Sequence, residues 1–226
     1  MKRTTLAILV LVMVLAIAGS VIAAPKEEKD LQKLTFVHYI KPHGGPTAPT
    51  DEVTDYKLIS GGVKLAGGTK YRVDTTDAPP GAASAIAVSV DEWQDYTQTD
   101  PIAGTDKSSE NVLSWGRLQA GTIAVTNMWI STRTKTVVKF TITFNTYYPW
   151  SASGASGAMD VQNIATHELG HAYGLSDLYN SRDLLLTMYG YSDYGDIDKR
   201  TLGKGDALGV QKLYGVGTVW VTLAAN

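Results

Sequence analysis

Two histidines and a glutamate, His167, Glu168 and His171, constrain this chain more than any other feature of its sequence. Residues four apart on a helix are neighbours on one face, so the two imidazoles can share one zinc ion at roughly 2.0–2.1 Å per nitrogen. Glu168 lies about 100° further round the helix, where its carboxylate misses the metal but reaches a water bound to it. The pattern therefore predicts a helix whose histidine edge faces a cleft.

The residues that follow this helix supply the candidates for a third metal ligand. Gly174 suits the left-handed C-cap that ends a helix and lets the chain turn back. Asp177 lies three residues further on and is the preferred ligand; alternatively, Asp177 caps the next turn and Asp183 binds the metal. No histidine follows His171, so the third ligand is not a downstream histidine. Two histidines and one carboxylate leave a fourth position for water, as in catalytic zinc sites.

The composition excludes several other classes of protein. The chain has no cysteine, which rules out disulfides, zinc-thiolate sites and thiol catalysis. Its net charge of −2 argues against a nucleic-acid partner, which normally meets a basic surface. With 226 residues, 44% of them hydrophobic and 19% charged, the chain suits one globular domain with a small preceding segment.

The N-terminus has the pattern of a secretory signal. Lys2 and Arg3 precede an apolar run over residues 6–18, and the small residues Ala23 and Ala24 follow. We expect a signal peptide over residues 1–24 and a secreted, extracellular protein with no other membrane contact. The alternative is an uncleaved segment that anchors the protein in the membrane.

The rest of the chain divides into two predicted parts. Residues 25–50 form an N-terminal segment that ends in a linker dense in proline and glycine, and residues 51–226 form the catalytic domain. His38 and His43 flank this linker. They could bind zinc in a latent precursor, although histidines in such places are more often surface loop residues.

Local patterns predict an α+β fold. Helices are expected at residues 79–96, about 160–173 and 205–214. Strands are expected at residues 35–40, 56–59, 71–74, 121–130 and 136–145, the last two joined by a hairpin loop.

Residues 167–177 resemble the extended zinc-binding consensus of the metzincin clan, His-Glu-x-x-His-x-x-Gly-x-x-His/Asp, and most closely its matrixin-like branch. Leu186-Thr-Met-Tyr-Gly190 resembles the Met-turn, in which Met188 would lie beneath the zinc as a hydrophobic floor. The resemblance spans roughly residues 71–215. It implies a metzincin-type zincin with a small mixed β-sheet, an active-site helix and a C-terminal helix beyond the Met-turn. Gly190 departs from the family, because matrixins usually have proline there, beside the pocket for the first residue after the cut.

The resemblance implies an exported zinc endopeptidase that uses a zinc-bound water activated by Glu168. Zinc can lower the pKa of such a water to roughly 7 and polarise the scissile carbonyl. A peptide or protein substrate would lie extended and add a strand to the sheet edge at Ile123, Ala124 and Val125. The alternatives are a non-catalytic exported zinc-binding protein and a zinc hydrolase that acts on another substrate. The intact Glu168 favours an enzyme, and the sequence leaves the oligomeric state open.

Overall fold

The computed structural model of the protein describes residues 30–42 and 53–218. The predicted signal segment, most of the predicted linker with His43, and residues 219–226 lie outside the described residues. Among the helices of the described part, none is both long enough and apolar enough to cross a membrane.

Three helices occupy the predicted places. They are α1 (Ala82–Gln94), α2 (Val161–Tyr173) and α3 (Lys204–Tyr214). Asp160 begins α2 as its N-cap, since its side chain accepts a hydrogen bond from the Asn163 N–H. Gly174 ends it in the left-handed conformation with φ of 108°, as the sequence predicts.

Most of the strands form one mixed sheet. Their bounds are β1 (Leu31–Ile40), β2 (Lys64–Leu65), β3 (Thr69–Val73), β4 (Ile102–Thr105), β5 (Val112–Gly116), β6 (Thr122–Ser131), β7 (Thr136–Asn145), β8 (Trp150–Ser151), β9 (Met159–Asp160) and β10 (Tyr191–Ser192). The sheet has the order β10-β1-β6-β7-β5-β3-β4, with β2 beside β7, while β8 and β9 pair separately. The prediction of an α+β fold is confirmed.

The pairing directions set the shape of the sheet. Strands β6 and β7 form an antiparallel hairpin, and β5, β3 and β4 continue from β7 in parallel. Strand β1 adds antiparallel to the free side of β6. The strand predicted at residues 56–59 is wrong, because Leu58 makes only an isolated bridge with Leu175 before a short 3₁₀ turn, Ile59–Gly61.

Helix α2 lies in the centre of the core, between α1 and the sheet. The Trp93 indole of α1 donates a hydrogen bond to the Thr166 carbonyl, and its ring stacks on Tyr173. Gly170 faces the same neighbours: a Cβ there would lie 2.3 Å from the Met188 sulfur and 2.7 Å from the Trp93 ring. Glycine inside a helix costs about 0.5–1 kcal/mol relative to alanine, but here it lets Met188 pack directly against α2.

Candidate metal centre

Helix α2 presents the two histidines to a common point. The Nδ1 atom of His167 lies 2.8 Å from the Thr187 carbonyl oxygen, and Nδ1 of His171 lies 2.9 Å from the Leu175 carbonyl oxygen. A carbonyl only accepts, so each Nδ1 carries the proton and each Nε2 presents a lone pair. Burial lowers the pKa of His171 to about 4, which keeps that ring neutral. Both rings are thus held in the tautomer that binds a metal through Nε2.

The chain turns back after Gly174 and brings Asp177 to the same point. Its Oδ1 atom lies 3.3 Å from His167 Nε2 and 3.6 Å from His171 Nε2. None of these three buried atoms has a hydrogen-bond partner. Two tetrahedral zinc ligands at roughly 2.0–2.1 Å from the metal lie about 3.3 Å apart. The donor set therefore fits zinc in both its chemistry and its spacing.

The alternative ligand, Asp183, belongs to another cluster. It lies in a short 3₁₀ turn, Ser181–Asp183, beside Arg182 and Asp55. Among the described residues, the groups able to hold a metal contain Asp177 and not Asp183. The geometry thus favours Asp177.

Glu168 faces the sheet. Its Oε2 atom accepts a hydrogen bond of 2.5 Å from the Thr126 hydroxyl of β6, and its Oε1 atom lies 3.4 Å from Nδ1 of His38. Burial raises the pKa of Glu168 to about 8, and the hydrogen bond from Thr126 opposes that rise. Thr126 therefore holds the Glu168 carboxylate beside His167, and the raised pKa makes this carboxylate a strong proton acceptor.

Met188 lies beneath α2 because Asp206 of α3 holds its backbone. The Asp206 carboxylate accepts hydrogen bonds from the N–H groups of Thr187 at 2.7 Å, Met188 at 3.0 Å and Gly203 at 3.0 Å. Thr187 in turn accepts the bond from His167. Asp206 was not predicted from the sequence, where its only local signal is its place three residues after the N-cap Gly203.

Comparison with known families matches residues 81–215 to the family model of the matrixins, which covers more than half of the chain. The chain belongs to the matrixin family. A search of curated proteins finds no match to it. Matrixins are zinc-dependent metallopeptidases and are usually extracellular. The helix, the turn and the Met-turn described above all lie inside the matched range, whereas β1 precedes it.

Replacing Asp206 by alanine is expected to destabilise this matrixin by roughly 2–4 kcal/mol, because it leaves buried N–H groups unpaired. Zinc affinity should fall about 10–100-fold as Thr187 loses its position beneath His167. Thermal unfolding and zinc titration measure the two effects. Asp198→Ala, at an exposed position, is the matched control and should change stability by less than about 0.5 kcal/mol. Equal stability of the two variants would contradict this role of Asp206.

The edge strand predicted to receive substrate is paired with the chain's own strand β1. Val125 lies opposite Val37, Ala124 lies opposite His38, and Ile123 is fully buried beside them. On its other side, β1 pairs in parallel with β10, just after the Met-turn. Residues 31–40 of the matrixin thus fill the groove between β6 and β10.

Two side chains of β1 reach the candidate metal centre. The Phe36 ring stacks on His171 with centroids 4.0 Å apart, and the His38 ring lies 3.9 Å from that of His167. The expectation that His38 is a surface loop residue is wrong, because its side chain is fully buried. His38, His167 and Glu168 also form a second group whose ligand atoms lie close enough together to hold a metal.

Proposed function

We propose that the chain is an exported zinc endopeptidase, with His167, His171 and Asp177 as zinc ligands and Glu168 as the catalytic base. The observation that carries the proposal is the set of three buried, unpartnered ligand atoms beside a buried carboxylate. Bound zinc would polarise the scissile carbonyl and acidify the attacking water. The predicted signal segment supports export, and matrixins are usually extracellular.

The residues of the chain supply the other parts of peptide hydrolysis. Glu168 removes a proton from water as the water oxygen bonds to the carbonyl carbon of the peptide. Thr126 holds the Glu168 carboxylate in place for that proton transfer. Glu168 then passes the proton to the amide nitrogen as the C–N bond breaks. The products are a new carboxyl end and a new amino end. Asp206 acts indirectly, because it fixes the backbone of Thr187, whose carbonyl oxygen keeps His167 in its orientation.

Substrate would bind as an extended strand along Ile123, Ala124 and Val125, through main-chain hydrogen bonds. Strand β1 lies along this edge, which supports the proposal that the edge accepts extended peptide. It also means that substrate and β1 compete for one groove. We therefore propose that the chain is latent while β1 is in place and active after residues 31–40 leave.

Metal analysis and a casein assay with and without a chelator test the proposal. One zinc per chain and chelator-sensitive cleavage are expected after the linker is cut. Asp177→Ala should weaken zinc binding by more than the roughly 10–100-fold typical of losing a residue that only hydrogen-bonds to a metal ligand, and Asp177→His should retain zinc. Asp183→Ala is the matched control and should bind zinc like the wild type. Zinc loss in Asp183→Ala but not in Asp177→Ala would refute the ligand assignment, and an absence of zinc would refute the proposed function.

A further inference from the structure

Strand β1 places the His38 side chain in a buried pocket beside the candidate metal centre. The pocket is lined by His167 and Glu168 of α2 and by Lys199 of the short turn Asp198–Arg200. Nδ1 of His38 lies 3.4 Å from the Glu168 carboxylate, and Nε2 lies 3.3 Å from the Lys199 ammonium. His38 is thus the strand residue whose side chain lies closest to the residues proposed to cut the peptide bond.

Lys199 is an unusual residue to find in such a place, because lysine is almost never fully buried without a charged partner. Its exposure is 2%, and within the part of the chain that the structure describes no carboxylate forms an ion pair with it. Burial lowers the pKa of Lys199 to about 8, so the amine still carries its proton at neutral pH. Nearby carboxylates, with Asp196 first, oppose this lowering of the pKa from beyond ion-pair distance, and the N–H groups of the ammonium make hydrogen bonds.

The three N–H groups of this ammonium have three acceptors. The carbonyl oxygens of Tyr189 and Tyr191 lie at 2.5 Å and 2.6 Å, and the third acceptor is Nε2 of His38. An ammonium only donates, so Nε2 accepts from Lys199 in the tautomer of His38 that carries its proton on Nδ1, and the His38 ring also contacts the Tyr191 carbonyl. Two of the three acceptors belong to the chain around β10. The third acceptor, Nε2 of His38, belongs to β1, the strand that fills the groove.

We propose that Lys199 determines specificity: its pocket selects, in the strand residue next to the cut bond, a side chain that ends in a hydrogen-bond acceptor. This inference rests on the proposed function, since it takes β1 to lie where a substrate strand lies. Glutamine and glutamate carry an acceptor about as far from Cβ as Nε2 of histidine. Leucine has nearly the same size but would leave the third N–H of the buried ammonium unpaired. A substrate with leucine in the pocket should therefore be cleaved roughly ten- to a hundredfold more slowly than one with glutamine.

The chain itself provides the probe, because residue 38 occupies the pocket in the intact protein. His38→Gln should keep β1 in place. His38→Leu should lower the melting temperature by roughly 3–9 °C relative to His38→Gln. Amide hydrogens of residues 31–40 should also exchange roughly ten- to a hundredfold faster in His38→Leu. The control is the same pair of substitutions at Tyr39, which is 44% exposed and should show no difference between glutamine and leucine.

The same comparison of His38→Gln with His38→Leu, repeated in a protein that also carries Lys199→Met, tests whether Lys199 causes the difference in stability. The difference between glutamine and leucine should then disappear or reverse, whereas a purely structural lysine would leave it unchanged. If Lys199→Met does not fold, the His38 pair with native Lys199 still decides. Equal or greater stability of His38→Leu there would overturn the proposal.

Peptide cleavage provides a second measurement. After β1 is released, two peptides that differ only in glutamine or leucine at the residue next to the cut bond should be cleaved at rates differing by roughly ten- to a hundredfold in favour of glutamine. Equal cleavage would overturn the inference. Failure to cleave either peptide counts against the proposed function alone, since the stability comparison needs no hydrolysis and still decides the preference of the pocket.

Discussion

Glutamine in place of Glu168 is expected to lower peptide hydrolysis by about a hundred- to ten-thousandfold while zinc remains bound. The amide has the shape of the carboxylate and can keep a hydrogen bond to Thr126, but it cannot take a proton from water. The three proposed ligands, His167, His171 and Asp177, are unchanged. The loss should therefore fall on the rate of the chemical step.

Zinc content, melting temperature and peptide cleavage should be measured on the same two preparations, before and after β1 is released. Similar zinc and melting temperature with lost cleavage are expected for Glu168→Gln. Equal cleavage by wild type and variant would exclude Glu168 as the base. Undetectable cleavage by both proteins, with zinc bound and β1 released, would favour a non-catalytic zinc-binding protein.

The active-site helix could be predicted from sequence because its signals are local. The histidines four apart and the C-cap Gly174 act within one helix, and the structure begins and ends α2 within one residue of the prediction. The turn back to Asp177 follows from the same local chemistry. A ligand set carried by one helix and its C-cap needs no knowledge of distant contacts.

The residues that the sequence analysis missed depend on long-range packing. Asp206 holds the Met-turn from another helix, and Gly170 is required by Met188 on a distant turn. Lys199 was left without a role, because nothing near it in the sequence separates a buried lysine from the exposed ones. Each becomes informative only after the chain is folded around α2.

Strand β1 has a local signal that predicts it as a strand, whereas its position in the sheet depends on long-range packing. Its strand-like composition predicts a strand over residues 35–40, and that strand is present within Leu31–Ile40. Its partner could not be predicted, because any open sheet edge can accept a strand. The free edge of β6 offers main-chain N–H and C=O groups to one side of β1, and β10 offers further main-chain groups to its other side. His38 is buried as a result of this pairing rather than of its neighbours in the sequence.

Release of β1 is expected to raise peptide hydrolysis at least about tenfold. A strand joined to its site by a short connection has an effective concentration on the order of millimolar, far above a typical substrate concentration. Cutting the connection removes this advantage, and dilution then lets the strand leave. A site-specific protease sequence placed between residues 43 and 50 provides the cut. Activity should be compared before cutting, after cutting and after dilution.

A reversible crosslink separates release of β1 from other effects of the cut. Thr35 and Asn127 are directly opposite in β1 and β6, and their side chains hydrogen-bond at 2.9 Å. Such a pair has Cβ atoms about 4.5–5.5 Å apart, close to what a disulfide needs. The native chain has no cysteine, so Thr35→Cys with Asn127→Cys can form only this bridge. The oxidised, cut protein should remain latent, and a reductant should restore activity to the level of the cut wild type. Full activity while the bridge is closed would show that β1 does not block the groove.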